Sequence, residues 1–222
     1  NLTYSFLPDG TWISGGDEPG SASSLYAEMN SHFGSESVWK PMFAQMFNDW
    51  GAHIGVTYQE VSDDGASFPG SSGAVGLRGD VRIGAHHIDG VYGVLAYNYF
   101  PNVGDMVLDT NEYWNAASNN YRYMRNIVRH EHGHGLGLAH VTPENQTKLM
   151  EAYASTAFDG PQDDDIRGGM RFYGDTLELN NNAGAATDLG QLEGDWSLDQ
   201  PASCTTSVDY DFYRFSTAGP AE

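Results

Sequence analysis

The chain has 222 residues, 40% apolar and 13% aromatic, enough to bury the core of one substantial domain with a small appendage. Its 30 acids against 10 bases give a formal net charge of −20, which argues against nucleic acid or a membrane surface as partner, because phosphate is repelled over most of such a protein. One cysteine, Cys204, excludes an internal disulfide, and no apolar run approaches the roughly 20 residues needed to cross a bilayer.

In chain order, residues 2–7 alternate as a strand, and residues 8–20 form a Gly/Pro/Asp-rich loop. "SASSLYAEMNSHFG" and "SESVWKPMFAQMFNDWG" carry helical spacing. In the second, Trp39, Phe43, Met46, Phe47 and Trp50 form an apolar stripe closed by Gly51, and Pro41 is expected in the first turn. "HIGVTYQEV" (53–61) reads as a strand, as do "DVRIGA" (80–85), "GVLAYNYF" (93–100) and "DMVLD" (105–109). Residues 119–137 are predicted as the second main helix, 141–161 as a loop, and "QDDDIRGGMRFYG" as a short helix ending at Gly174. From 175 the texture changes to a linker, "NNNAGAATDLG", and strand-like fragments such as "YDFYRF". The order predicts an α+β domain over 1–174 with one mixed sheet, and an appended piece over 175–222. Opening directly on "LTYSFL", the chain reads as a mature or trimmed soluble protein.

Residues 129–140, "RHEHGHGLGLAH", hold four of the 8 histidines. His130, Glu131 and His134 spell H-E-x-x-H, and residues four apart on a helix share one face, so two imidazoles can share one metal ion. Glu131 falls on the neighbouring flank, able to hold a water. Catalytic zinc needs a third protein ligand and an open position. His140 supplies the third if the helix stops and the chain turns back, a turn that Gly135 and Gly137 permit because glycine takes left-handed angles at little cost. Three neutral imidazoles leave the charge of Zn2+ uncompensated, which lowers the pKa of a bound water towards roughly 7. Glu131 is then the general base, and the chemistry is peptide hydrolysis without a covalent intermediate. A surface histidine run or an adventitious metal patch is the plain alternative, but the longer H-E-x-x-H-x-x-G-x-x-H fixes five positions and the place of the turn. His132 falls on the other side of the helix and is read as a packed or solvated residue.

With that motif the chain resembles the metzincin zinc proteases, and among them the matrixins, the matrix metalloproteinase family. Beyond the zinc motif, "LTYSF" resembles the start of a mature matrixin domain. "FNDWGAHIGVTYQEV" is similar to the first helix running into the second strand, "GDMVLDTNEYW" to the segment after the edge strand, and "DDIRGGMRFYG" to the last helix. The resemblance implies a metzincin (zincin-like) catalytic domain: a mixed, mostly parallel twisted sheet with an antiparallel edge strand, an active-site helix, a Met-turn and a C-terminal helix. It implies two subdomains with a cleft between them and zinc at its floor. "GVLAYNYFP" looks like the edge strand that pairs with substrate, so Leu95 and Ala96 become substrate-binding candidates. "KLMEAY" supplies Met150 for the Met-turn, ten residues beyond His140 and outside the usual register. Tyr153, three further on, is a pocket-wall residue or, as in another metzincin branch, a residue acting on the transition state.

Ca2+ carboxylates implied by the resemblance map onto Asp89, Asp109 and Glu112 for one ion, and Asp80 and Asp105 for another; ordinary loop acids are the alternative. For a second, structural zinc, His87 and Asp89 match the first pair, but Tyr97 and Val107 stand where two histidines are needed. One zinc is therefore expected, with His86 and His87 as loop residues. Matrixin zymogens block zinc with a prosegment cysteine; Cys204 stands in an unrelated context, so the prosegment has been removed or latency works otherwise. The tail resembles the start of a bacterial pre-peptidase C-terminal β-sandwich, too short to complete one. The reading is a secreted bacterial zinc metalloendopeptidase, monomeric and acting on protein or peptide substrates. The alternative from another class is a catalytically weak or inactive metal-bound protein-recognition module.

Overall fold

The computed structural model describes residues 1–198, 202–203 and 210–218, so Cys204 lies outside the described residues. A five-stranded sheet is built from β1 (Leu2–Phe6), β4 (Tyr58–Glu60), β5 (Val81–His86), β6 (Ala96–Asn98) and β7 (Met106–Asp109), in the order β4-β1-β5-β7-β6. β1 runs parallel to β4 and β5, and β5 parallel to β7; β6 alone is antiparallel, pairing Ala96 with Leu108 and Asn98 with Met106. All six residues of β5 are buried, as expected of a central strand covered on both faces.

One face of the sheet packs against α1 (Leu25–Phe33), α2 (Glu36–Gly51) and α3 (Arg122–Gly135). Aromatic rings fill that layer: Tyr4 stacks on Phe47 at 4.5 Å, and Phe6 meets Trp39 edge-on at 4.9 Å. The other face carries Leu7, Ile13, Phe68 and Val107. It is closed by a ribbon of β2 (Trp12–Ile13) and β3 (Ser21–Ala22), two-residue strands within and beside a stretch read from sequence as loop. Beneath α3 a second core gathers Trp50, Ile54, Leu136, Leu138, Leu149, Met150 and Met170 against α4 (Asp163–Tyr173). The glycine pair in "IRGGM" lets α4 approach: a Cβ at Gly168 would lie 2.9 Å from Leu138, and one at Gly169 would lie 2.9 Å from Ile54.

Pro41 is not in the first turn, since α2 starts at Glu36. The buried Trp39, whose Nε1 donates to Asn30 Oδ1 at 2.9 Å, holds the preceding turn helical. Strand 53–61 shrinks to Tyr58–Glu60, because Gly55 N–H is engaged by Gly174 O and only the later residues face β1. α3 begins at Arg122 because Asn119, Asn120 and Tyr121 all adopt left-handed angles. The linker-like "NNNAGAATDLG" contains a 3-10 turn at Ala183–Ala185 and part of β8 (Thr187–Leu192), which pairs in parallel with β9 (Tyr213–Thr217).

Candidate metal centre and cleft

α3 carries His130 and His134 on one face, with ring centroids 4.8 Å apart. The helix closes at Leu136, whose N–H bonds His132 O at 2.8 Å, and Gly137 then takes φ +100°. Gly137 alone supplies the left-handed turn. Gly135 stays helical and serves by its small size, since a Cβ there would sit 2.8 Å from Asn98 Nδ2 of β6. The chain past Gly137 returns and places His140 Nε2 3.1 Å from His130 Nε2 and 3.2 Å from His134 Nε2.

The donor set fits zinc. His130 Nδ1–H donates to Leu149 O and His134 Nδ1–H to Leu138 O, each at 2.7 Å. A carbonyl only accepts, so both tautomers are fixed and both Nε2 lone pairs face the common point. Zinc–nitrogen bonds of about 2.0–2.1 Å in a tetrahedron put ligand nitrogens about 3.3 Å apart, close to the spacing found here. Burial, with the neighbouring imidazoles, pushes His130 down to about 4, so it is neutral and ready to coordinate at pH 7. Among the described residues this is the one group of three or more His, Cys, Asp or Glu side chains gathered closely enough to share an ion.

Met150 packs under the helix at Gly133, where any side chain would strike its sulfur. Val141 N–H bonds Met150 O at 3.0 Å, tying the turn to the segment after His140. A residue not singled out from sequence, Asp165, holds this turn: its carboxylate accepts Leu149 N–H at 2.7 Å and Met150 N–H at 3.0 Å while also capping α4 through Gln162 N–H. The pattern of Gln162 followed by Asp165 marks a capping box and was the available signal.

The three histidines and Glu131 line a cleft of about 830 Å³. Glu131 is 7% exposed, and burial pushes its carboxyl up to about 8; a cation beside it acts in the opposite direction. Val94, Leu95 and Ala96 form one side, at the sheet's edge strand; Tyr153, Ser155 and Phe158 lie across from them. Leu95 O is already engaged by Asp109 N–H, and Tyr153 is 76% exposed. His132 sits away from the cleft, buried edge-on against Phe47, with Nε2 2.8 Å from Tyr58 Oη.

His86 is not a loop residue but the last of β5, buried, with Nε2 2.8 Å from Glu18 Oε1 and Nδ1 3.0 Å from Ser21 Oγ. Tyr97 Oη–H donates to the same Glu18 oxygen at 2.8 Å, so one carboxylate ties the 14–20 loop to the sheet. His87 is exposed and pairs with Asn111 Oδ1. The candidate calcium acids each accept at least one amide hydrogen. Asp109 accepts from Ile88, Asp89, Gly90 and Asn111, Asp89 from Val94, and Glu112 from Tyr92. Asp80 accepts from Thr3, and Asp105 from Gly70 and Arg82.

Residues 25–174 match the matrixin family profile. The chain is 28% identical over 151 residues to metalloendoproteinase 1-MMP of Arabidopsis thaliana, covering 65% of this chain and 40% of that protein. It is 33% identical over 147 residues to interstitial collagenase of Bos taurus, covering 64% of this chain and 29% of that protein. It is 31% identical over 134 residues to stromelysin-3 of Homo sapiens, covering 54% and 26%. The chain thus spans well under half the length of these curated relatives.

Proposed function

The chain belongs to the matrixin family, and from that premise we propose that it is a zinc-dependent metalloendopeptidase cleaving protein or peptide substrates over His130, His134 and His140. The observation that carries the reading is the convergence of three Nε2 atoms at 3.1 and 3.2 Å on a cleft floor beside a buried carboxylate. The three imidazoles hold the ion, two of them locked in one tautomer by Leu149 O and Leu138 O. When bound, zinc supplies Lewis acidity to a water and to the scissile carbonyl. Glu131 takes the proton of the attacking water on its carboxylate and returns it to the leaving amine, a shuttle helped by an apolar setting that keeps the protonated form accessible. The outer edge of β6 receives substrate in extended form beside Leu95 and Ala96, as an edge strand adds a further strand. Tyr153 is assigned to the pocket wall.

The catalytic body in this reading ends at Gly174, where α4 stops on a left-handed glycine, and 175–222 is an appended piece. Secretion and a monomeric state are part of the same proposal; among the described residues no helix is long and apolar enough to cross a membrane. The test is Glu131→Gln, assayed by peptide-library digestion alongside metal analysis. Zinc content is expected to stay at one per chain while hydrolysis falls by about 10²- to 10⁴-fold, the usual worth of a general base. Substantial hydrolysis surviving that change, or wild-type hydrolysis indifferent to a chelator, overturns the reading.

A further inference from the structure

We infer that the far wall of the cleft is preset by a clamp on α3, with Asn126 and Asp159 as positioning residues that fix which side chains the pocket admits; the inference rests on the peptidase reading above. Tyr153, Ser155 and Phe158 form that wall, yet none of residues 152–160 lies in a helix or strand. A loop without a ladder must find partners for its main chain elsewhere. α3 provides them from successive turns of one face, Arg122, Arg125, Asn126 and Arg129.

Asn126 alone serves three main-chain groups. Its Nδ2 donates to Ser155 O and to Phe158 O, each at 2.9 Å, and its Oδ1 accepts Gly160 N–H at 3.0 Å. Arg122 Nη1 donates to Thr156 O at 3.1 Å. Asp159 then collects the charges: Arg125 Nη2 donates to its Oδ2 at 2.6 Å, Arg129 Nη1 to its Oδ1 at 2.7 Å, and Arg122 Nε lies 3.5 Å away. Arg125 and Arg129 are 5% and 2% exposed, and a buried guanidinium without its anion is strongly unfavourable. Arg129 has a second carboxylate in Asp49, whereas Arg125 has the carbonyls of Asn119 and Asn120 and, among the described residues, Asp159 as its one carboxylate. The loop therefore cannot swing away without leaving a buried cation with no anion beside it.

The same helix, one turn further, presents His130 and Glu131 to the cleft. Wall and reacting groups are thus mounted on one rigid element, which holds the pocket at a set size rather than letting it adapt. None of the three arginines lines the cleft, where, among the described residues, Glu131 is the one Asp, Glu, Lys or Arg. The residue selected is accordingly an uncharged side chain, its size set by where the clamp holds the wall.

The test uses the zinc-loaded full chain with Asp159→Asn and the milder Arg122→Gln. Amide hydrogen exchange over 152–158 is measured without substrate, and kcat and KM are measured on peptides that vary in side-chain size at one position flanking the scissile bond. For Asp159→Asn the expected result is exchange about tenfold faster in 152–158, unchanged zinc content, and discrimination between short and long side chains reduced about tenfold, through KM rather than kcat. Arg122→Gln moves both readouts the same way by less, and Asp159→Glu restores part of each. Should Asp159→Asn fail to fold, Arg122→Gln decides. Unchanged exchange overturns the clamp, and faster exchange with unaltered discrimination overturns the specificity role. A wild-type protein that cleaves nothing overturns the parent reading and the specificity role with it, while exchange still decides the clamp.

Discussion

At the cleft floor the polypeptide gives His130 Nδ1–H and His134 Nδ1–H a carbonyl each and leaves their Nε2 atoms facing His140. In the segment 80–112 it does the reverse, turning amide hydrogens onto the carboxylates of Asp80, Asp89, Asp105, Asp109 and Glu112. The contrast follows from the side chains. An imidazole has two unlike nitrogens, so one can be anchored while the other keeps its lone pair for a metal. A carboxylate used as a turn cap spends its lone pairs on N–H donors, and a cation there has to compete with them. Closely spaced histidines are therefore a sharper sign of a metal than a surplus of acids.

The largest expected effect tests the first half of that contrast. His140→Ala leaves two ligands, which cannot close a catalytic zinc site. Zinc retention on dialysis and hydrolysis should each drop by more than about 100-fold, beyond the usual effect of an outer-shell change. Asp89→Ala, at the other kind of site, should leave both within about twofold, since outside a named structural feature a single change is a small perturbation. Zinc retained by the His140 variant would break the comparison at its root.

A smaller effect is expected one step behind the ligands. Asp165 accepts Leu149 N–H, and Leu149 O accepts His130 Nδ1–H, so a buried acid on α4 orients the proposed ligand His130 through a single residue. Asp165→Ala should weaken zinc retention by about 10- to 100-fold, the range for outer-shell partners. Competition with a chromogenic chelator measures it. Affinity equal to wild type would mean that the carbonyl at Leu149 holds its place without the acid.

These dependencies also mark what could be read before any coordinates. The convergence of the three histidines was legible because its spacing lies within one helix and one turn, and α2 was legible because Trp39, Phe43, Phe47 and Trp50 recur at helical intervals. The matrixin resemblance supplied the sheet with its antiparallel edge strand, which short apolar runs alone do not determine. The partners of buried polar groups stayed hidden, since Glu18 meets His86, Asp63 pairs with Arg82 and Asp49 with Arg129 across 68, 19 and 80 residues of chain. Within "QDDD" the spacing of a capping box points to Asp165, but nothing there says that its carboxylate also reaches Leu149 and Met150. The two-residue strands β2 and β3 carry too little alternation to be seen.

The last effect is one of pH and lies within the acidic segment itself, where Asp105, just before β7, differs from Asp109 at its end. Among the described residues Asp105 has amide donors from Gly70 and Arg82 alone, and burial dominates, pushing its carboxyl up to about 6. Asp109 is also penalised by burial, but four amide donors hold it below the usual carboxylate range. The linkage signs are opposite. Because the folded chain protonates Asp105 more readily than the unfolded chain does, this acid costs stability above about pH 6, and the cost disappears as pH falls towards the ordinary 3.8. The interval from 3.8 to about 6 corresponds to roughly 3 kcal/mol. Asp109 instead contributes stability above its unfolded value, lost as pH falls through its lower folded one. Urea denaturation between pH 4 and 7.5 should therefore show a declining contribution that Asp105→Asn removes and Asp109→Asn leaves in place. Repeating the titration with calcium sharpens the comparison: an ion at Asp80 and Asp105 favours the ionised form and flattens the Asp105 slope. We expect the slope to persist, because amide donors already meet both Asp105 oxygens; a slope abolished by calcium would support the ligand role that the matrixin resemblance implies.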